Sequence, residues 1–435
     1  MLKKDYNRQI LTRTAEFMSL AQVQQLAADV FIEVENGKNL SDTLAAVLSR
    51  HSELSAQDKG MLQDIAYGVQ RYRGSLNFML VQMLNKPPQQ PRLRALLLAA
   101  MYQLQHTRNA PHAVVNEAVR HSARLDGGRY RALSNAVLRR FQREMPRFQA
   151  ACAADRTAKY NLPEWFARRL QNDYPQHWHN IAAAFQTRPP LTLRINRRRS
   201  DAATYLALLQ QHGLNGKILD DYALMLDEAV PVAKLPGFAD GMVSVQDFGA
   251  QQAVPMLAVR DGERVLDACA APGGKSGHIL ESADCELTAL DIDAARLQRV
   301  DDNLSRLGFQ AALHCAAAQD LNHWYNGCPF DAVLADVPCT ASGTVKRNPD
   351  IKWLRRPQDA AKTAAQQEVL LDALWTVLKN GGRMLLATCS LFEEENAAQC
   401  RRFLERHADA RLQAERLLLP NLKQDGFYYA LLEKR

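Results

Sequence analysis

Residues 267–275 read Asp267-Ala268-Cys269-Ala270-Ala271-Pro272-Gly273-Gly274-Lys275, an apolar run that ends in small residues, a proline, two glycines and a lysine before a helical pattern begins. Small side chains let a backbone approach a ligand closely, and the amides that open a helix favour an anionic group, here a carboxylate. The spacing matches neither the glycine fingerprint of dinucleotide enzymes nor the Gly-Lys-Ser/Thr phosphate loop. A second apolar run ends in Asp291-Ile292-Asp293, where an acid can accept hydrogen bonds from ribose hydroxyls; the same residue type also serves as a plain helix cap. Loop, strand and acid together point to a nucleoside-like cofactor. Two further runs end in Asp336-Val337-Pro338-Cys339 and in Thr388-Cys389-Ser390. A single cysteine is by default a small buried apolar residue. Two thiols at strand ends, one after a proline and one flanked by hydroxyls, can face the same crevice.

These residues need a scaffold that brings strand ends together. From Gly241 onward, short apolar runs at 264–268, 287–290, 332–335 and 383–387 alternate with helical patterns near 275–282, 294–306 and 360–378. Such alternation implies a mostly parallel sheet covered on both faces, with ligands beyond the C-terminal strand ends. Upstream, from Leu20 to Phe148, apolar residues recur at helical spacing, as in Leu40, Leu44, Val47 and Leu48, or Leu93, Leu96, Leu97, Ala100 and Leu104. That is a helical bundle. Ser41 and Ser55 are placed as N-caps, Pro87-Pro88 closes one helix, Pro111 opens another, and Gly127-Gly128 breaks the chain before Tyr130. Between the two patterns, prolines punctuate a small α+β linking segment with one strand at 191–196, then Arg197-Arg198-Arg199 and a helix through Leu206 and Leu209. The division expected is 1–150, 151–240 and 241–435.

A chain of 435 residues with 47% hydrophobic and 23% charged residues is neither disordered nor fibrous, and its length suits about three domains. No apolar stretch approaches the ~18 residues of a membrane span, and Met1-Leu2-Lys3-Lys4-Asp5-Tyr6 carries no signal-like apolar core, so a cytoplasmic protein is expected. Eight cysteines without a Cys-x-x-Cys pair read as free thiols, and eleven histidines, of which His177 and His179 flank a tryptophan, offer no metal motif. No metal and no membrane partner are expected. The net charge of +7 is uneven: residues 1–160 carry 23 Lys+Arg against 13 Asp+Glu, and residues 261–435 carry 21 against 25. One end is suited to a polyanion while the other does chemistry. Arg120, Arg124, Arg129, Arg131, Arg139, Arg140 and Arg143 crowd the end of the bundle, where they meet phosphates or form a solvated face.

The Asp267–Lys275 loop, Asp336-Val337-Pro338-Cys339 and Thr388-Cys389-Ser390, with Asn348-Pro349-Asp350-Ile351-Lys352-Trp353 and Asp425-Gly426-Phe427-Tyr428-Tyr429, resemble the RNA cytosine-C5 methyltransferases. In the bundle, Tyr67-Gly68-Val69, Tyr102-Gln103-Leu104, His112-Ala113-Val114-Val115-Asn116-Glu117 and Asn135-Ala136-Val137-Leu138-Arg139-Arg140 resemble a NusB-like RNA-binding domain. In this order, over nearly the whole chain, the two resemble the bacterial 16S rRNA cytosine-C5 methyltransferases of the RsmB (Sun, Fmu) type. The resemblance implies a multidomain protein: an all-α NusB-like domain, a small α+β linking subdomain and an α/β Rossmann-like methyltransferase domain. S-adenosylmethionine is the implied cofactor, and 16S rRNA, unassembled or partly assembled, the implied partner of a monomeric enzyme.

The resemblance also implies roles. Cytosine C5 is a poor nucleophile, so a thiolate first adds to C6 and converts C5 into an enamine carbon. Attack falls to Cys389 and product release to Cys339. Asp336 addresses the cytosine ring edge and borders the cofactor, while Lys275 lowers a thiol pKa or pairs with the methionine carboxylate. The cofactor-binding set is Cys269, Ala270, Ala271, Pro272, Gly273, Gly274, Lys275, Asp291, Ala317 and Asp336. One departure stands out: the stretch His314-Cys315-Ala316-Ala317-Ala318-Gln319-Asp320 places Ala317 where the family shows an acid for the adenine amine, and Asp320 or a backbone carbonyl is left to replace it. The alternatives are an inert RNA-binding assembly factor and a tRNA cytosine-C5 methyltransferase with the same chemistry.

Overall fold

The computed structural model describes residues 20–84, 86 and 88–435; the polar start at Met1–Tyr6 and the helix-closing Pro87 lie outside the described residues. The described chain forms two compact units, one reaching to Gln186 and including Asn348–Arg355, the other formed by Thr187–Arg347 and Arg356–Arg435.

The first unit is helical. Helices 20–35, Leu40–Arg50, Ala56–Arg71, Arg73–Leu84, Pro91–His106, Pro111–Ser122 and Arg131–Cys152 precede three shorter ones that end with Trp178–Phe185. Their apolar stripes meet in one core that includes Val23, Leu40, Leu62, Ile65, Leu98, Val114, Leu138 and Phe141. Ser55 caps its helix by accepting the Asp58 N–H, as expected. Ser41 does not cap: Asn39 takes that place, accepting the Asp42 N–H, and the helix has already begun at Leu40. Pro111 occupies the first turn of its helix, and Gly127 and Gly128 have positive φ in the break before Tyr130. The segment Asn348–Arg355 completes this unit. Asp350 accepts the Leu40 N–H at 3.0 Å, Lys352 Nζ donates to the Arg71 carbonyl at 2.9 Å, and the Trp353 indole donates to the Gln70 carbonyl at 2.8 Å.

The second unit opens with a four-stranded antiparallel sheet: β1 (Thr192–Ile195), β2 (Gly216–Ile218), β3 (Ala223–Leu226) and β4 (Val243–Val245), in the order β2-β3-β1-β4. The expected strand at 191–196 is β1, and the expected helix is Ala202–Gln211. A seven-stranded sheet follows: β5 (Arg264–Asp267), β6 (Glu286–Asp291), β7 (Ala312–Cys315), β8 (Phe330–Asp336), β9 (Leu378–Thr388), β10 (Ala410–Leu418) and β11 (Phe427–Lys434). Its order is β10-β11-β9-β8-β5-β6-β7, with β9, β8, β5, β6 and β7 parallel and the β10-β11 hairpin antiparallel. Neighbouring residues alternate between two cores. Leu266, Leu290, Val333, Ala335, Met384 and Leu386 face helices Asp359–Thr376 and Ala397–Arg406, whereas Val265, Ala289, Ala332, Leu334 and Leu385 face Gly274–Ser282 and Ala294–Leu307. Burial on both faces explains why these strands are almost continuously apolar in sequence. The chain runs outward from β5 through β6 to β7 and then returns to β8 on the other side of β5. A crevice opens at such a switch point, beyond the strand ends.

Candidate active site

β5 stops at Asp267, and the chain turns through Cys269–Gly273 into the helix Gly274–Ser282. Gly273, with φ of +92°, precedes that helix; a Cβ there would lie 3.0 Å from the Val300 Cα, so only glycine lets the loop sit this close to the following helix. The Asp267 carboxylate accepts the Ser276 hydroxyl at 2.7 Å and ties strand to helix. Burial, with the negative charge of Asp336 nearby, pushes this carboxyl up to about 7. Arg194 of β1, fully buried, holds the loop from behind. It donates to Glu281 at 2.8 and 2.7 Å, to Gln246 at 2.6 Å and to the Gly274 carbonyl at 2.6 Å. Arg198 and Arg199 are likewise engaged, with Asp284 at 2.6 Å and the Leu307 carbonyl at 3.0 Å. All three arginines of the triplet are exposed, with Arg197 over the Tyr222 ring.

A cavity of about 510 Å³ opens at the crevice. Cys269, Ala271, Asp291, Ala317, Asp336, Cys339 and Cys389 line it, seven of the residues singled out from sequence. Ala270, Pro272, Gly273, Gly274 and Lys275 shape its loop without lining it. Asp291 closes β6; its carboxylate accepts the N–H groups of Ala271 at 3.3 Å and Asp293 at 3.1 Å, with Arg296 at 3.4 Å. Beside it, Ile292 is 71% exposed, an apolar side chain held at the cavity rim. Ala317 lines the wall near Gln319, whereas Asp320 does not, and its carboxylate pairs with His323 at 2.7 Å. A nucleoside fits these residues: a carboxylate at a strand end, an apolar side chain next to it and small residues opposite.

The parallel register places Asp336 of β8 opposite Ala387 of β9. Cys339, three residues past the end of β8, thereby meets Cys389, one residue past the end of β9, with the sulfurs 3.6 Å apart. The Cys389 thiol beside it, together with burial, holds the Cys339 thiol well above its ordinary pKa. Lys275 Nζ donates to Asp336 at 2.5 Å. Burial works against that ammonium, but the Asp336 carboxylate outweighs it and the lysine pKa is raised. The lysine is thus engaged with an acid of the cavity wall.

Sequence reasoning missed what fixes the two thiol loops. Glu395 is fully buried and accepts the Thr340 N–H at 2.7 Å and hydroxyl at 2.6 Å, with the hydroxyls of Ser390 and Thr363 also donating to it. Asn396 accepts the Thr388 hydroxyl at 2.6 Å and donates to the Ser390 carbonyl at 2.9 Å. One carboxylate thus ties the loop after β8 to the loop after β9. The run Glu393-Glu394-Glu395-Asn396 was the available signal, but by itself it reads as an acidic helix start. Close approach adds a second tie. Gly426 donates to the Gly343 carbonyl at 2.9 Å, and a Cβ on Gly343 would lie 2.4 Å from the Gly426 oxygen. Asp425, one residue earlier, receives Arg347 at 3.1 Å. Among the described residues no group of three or more His, Cys, Asp or Glu could hold a metal ion, and no helix is long and apolar enough to cross a membrane.

Comparison with known proteins matches each part of this architecture. The 16S rRNA methyltransferase RsmB/F family model covers residues 254–433, the NusB family model 11–143, and the ferredoxin-like domain of RsmF/B-like methyltransferases 162–233. The ribosomal RNA small subunit methyltransferase B of Escherichia coli O127:H6 (strain E2348/69 / EPEC) is 40% identical over 415 residues, spanning 92% of this chain and 96% of that one. Its counterpart in Escherichia coli O9:H4 (strain HS) is 41% identical over the same spans. Among solved structures, PH0851 has a TM-score of 0.76 at 22% identity, covering 95% of this chain and 99% of that one, a likeness of fold. A methyltransferase homolog protein from Pyrococcus horikoshii has a TM-score of 0.58 at 26% identity, covering 65% of this chain and 98% of its own. With both chains matched almost end to end and the crevice suited to a nucleoside, the chain belongs to the ribosomal RNA small subunit methyltransferase B family, the S-adenosylmethionine-dependent rRNA methyltransferases.

Proposed function

We propose that this enzyme methylates C5 of one cytosine of 16S rRNA, the position conventionally numbered 967, through a covalent bond between Cys389 and C6. The observation that carries this reading is the pair of sulfurs 3.6 Å apart in the same cavity as Asp336. The target is RNA not yet assembled, or only partly assembled, into the small subunit, and the enzyme acts in the cytoplasm as a monomer. Residues 1–150 hold RNA, 151–240 are a linking subdomain with ancillary RNA contacts, and 241–435 carry out the chemistry. Bound S-adenosylmethionine supplies an electrophilic methyl on a sulfonium sulfur. The loop Cys269–Lys275 would hold its methionine part, Asp291 would accept its ribose hydroxyls, and Ala317 and Asp336 would border its adenine and its reactive end.

The Cys389 thiolate adds to C6 of the cytosine, and the electron pair of the C5–C6 double bond moves toward N3. Asp336 addresses that ring edge, and the Lys275 ammonium, 2.5 Å from the carboxylate, keeps positive charge beside the charge developing on the ring. C5, now an enamine carbon, would take the methyl as the bond from methyl to sulfonium sulfur breaks and its electron pair stays on sulfur. Solvent water takes the C5 proton, the electron pair of that C–H bond rebuilds the C5–C6 double bond as the bond from C6 to the Cys389 sulfur breaks, and Cys339 assists this release by giving its thiol proton to the departing sulfur. Its raised pKa leaves Cys339 a thiol at neutral pH, suited to a later step than attack.

The two thiols separate in one experiment with full-length 16S transcript and cofactor. Cys339→Ala should accumulate a nuclease-sensitive adduct on a denaturing gel, whereas Cys389→Ala and the double variant should give none and be inactive. An adduct formed by Cys389→Ala would exchange the roles, and bisulfite sequencing that finds the methyl at another cytosine would displace the assigned target.

A further inference from the structure

A second concavity lies within the first unit, between helices Pro111–Ser122 and Arg131–Cys152. It encloses about 410 Å³ and is lined by Asn116, Val119, Arg120, Ala123, Arg131 and Asn135. Residues 116, 119, 120 and 123 share one face of the first helix, and 131 and 135 are one turn apart on the second. The groove is chemically divided. Val119 and Ala123 give it an apolar floor, two amides present paired donors and acceptors, and two exposed guanidiniums give it positive charge. Arg120 is 58% exposed and only loosely paired with Glu117, at 3.7 Å. Glu117 is itself buried, and burial raises its carboxyl pKa against the pull of Arg120 and Arg124. Arg124 and Arg139, both exposed, lie one turn beyond and add charge of the same sign. By contrast Arg140 and Arg143, farther along the second helix, are paired with Glu144 at 3.2 and 2.9 Å.

We propose that this groove binds one nucleotide of single-stranded RNA within the substrate, an assignment that rests on the rRNA reading above. Arg120 and Arg131 take the phosphates on either side of the nucleotide. The base lies on Val119 and Ala123, and the amides of Asn116 and Asn135 meet its edge, where one donor and one acceptor each can match a Watson–Crick face. An apolar floor with amide walls distinguishes this groove from a surface that reads charge alone.

The test uses the full chain and a 5′-fluorescein single-stranded oligoribonucleotide of 16S sequence, followed by anisotropy over a salt series. Arg120→Glu and Arg131→Glu should each weaken binding by about tenfold and flatten the salt slope by about 0.7, the share of one phosphate on single-stranded RNA. Asn135→Leu, which changes no charge on an exposed position, should weaken binding about threefold with the slope unchanged, and calorimetry should find S-adenosylmethionine affinity unaltered in all three. Arg147→Glu, on the same helix but outside the groove and 76% exposed, is the charge control and should change affinity less than about twofold. If Arg147→Glu weakens binding as much as the groove variants, or an unlabelled RNA duplex competes as well as the single strand, the groove assignment is overturned. A wild-type chain that neither binds the probe nor methylates the transcript would instead overturn the rRNA reading beneath it.

Discussion

Asp267 is a carboxylate placed where water cannot reach it, and its protonation should be visible in the stability of the fold. Its ordinary value is 3.8, and burial pushes it up to about 7. Between those two values the native state binds more protons than the unfolded chain, so the contribution of this group is full below about pH 4 and lost as the pH rises through 7, at about 1.4 kcal/mol per pH unit. Urea midpoints of the enzyme without cofactor should therefore fall across that window by more than those of Asp267→Asn, which keeps an oxygen for Ser276 but cannot ionise; parallel curves would remove Asp267 as the cause. At the cofactor end, Asp291→Ala should raise the S-adenosylmethionine Kd at least tenfold, since a hydrogen bond to a charged acceptor is worth about 1.5–3 kcal/mol. Ala317→Asp adds an acid to a stretch of wall whose own acid in sequence, Asp320, is paired with His323. Calorimetry should show tighter binding in that variant, and a loss would mean that Gln319 and the backbone already complete the site.

At the scale of elements, the thiol pair depends on a clamp between two strand ends. Glu395 accepts four hydrogen bonds from Thr340, Ser390 and Thr363, and Glu395→Gln turns one of those acceptors into a donor facing donors. Leaving a buried polar group without its partner costs about 1–3 kcal/mol, so the urea midpoint should drop. Methyl transfer should fall more than tenfold while the S-adenosylmethionine Kd stays within about twofold, because Asp291 and the Cys269–Gly273 loop lie on other strand ends. A variant with full activity would show that the loops hold the sulfurs together without the clamp.

For the whole molecule, Asn348–Arg355 belongs to the helical unit although the sequence on either side of it belongs to the other. Its Asp350, Lys352 and Trp353 satisfy a helix-start N–H and two helix-end carbonyls within that unit. Lys352 is wholly buried, and desolvation, with Arg71 and Arg73 nearby, holds its pKa well below the ordinary value. A fragment ending at Gln186 leaves those groups open. Its Tm should lie at least about 5 °C below the transition of the same unit in the full chain, given a shift of about 2–4 °C per kcal/mol for a domain of this size. Equal values by calorimetry would show that the segment adds nothing. The boundary expected at residue 150 falls within helix Arg131–Cys152.

The sequence by itself determined the helices of the first unit, the parallel strands of the second and seven of the residues that line the cavity. Those features are local: the spacing of Leu93, Leu96 and Leu97 declares a helix face, the apolar run at 332–335 a strand buried on both sides, and each strand-end motif lies within a few residues of the strand it ends. Only the tertiary structure decided that the exposed Arg198 and Arg199 are also tied to Asp284 and the Leu307 carbonyl, that Asn39 and not Ser41 starts a helix, and that Ala317 lies in the wall while Asp320 turns away. It also decided that Glu395 and Arg194 hold the site. The reason is physical: a charged side chain looks the same in sequence whether water or a buried partner satisfies it. Glu395 meets Thr340 from 55 residues away and Arg194 meets Glu281 from 87, distances that only strand order and register bring to hydrogen-bond length.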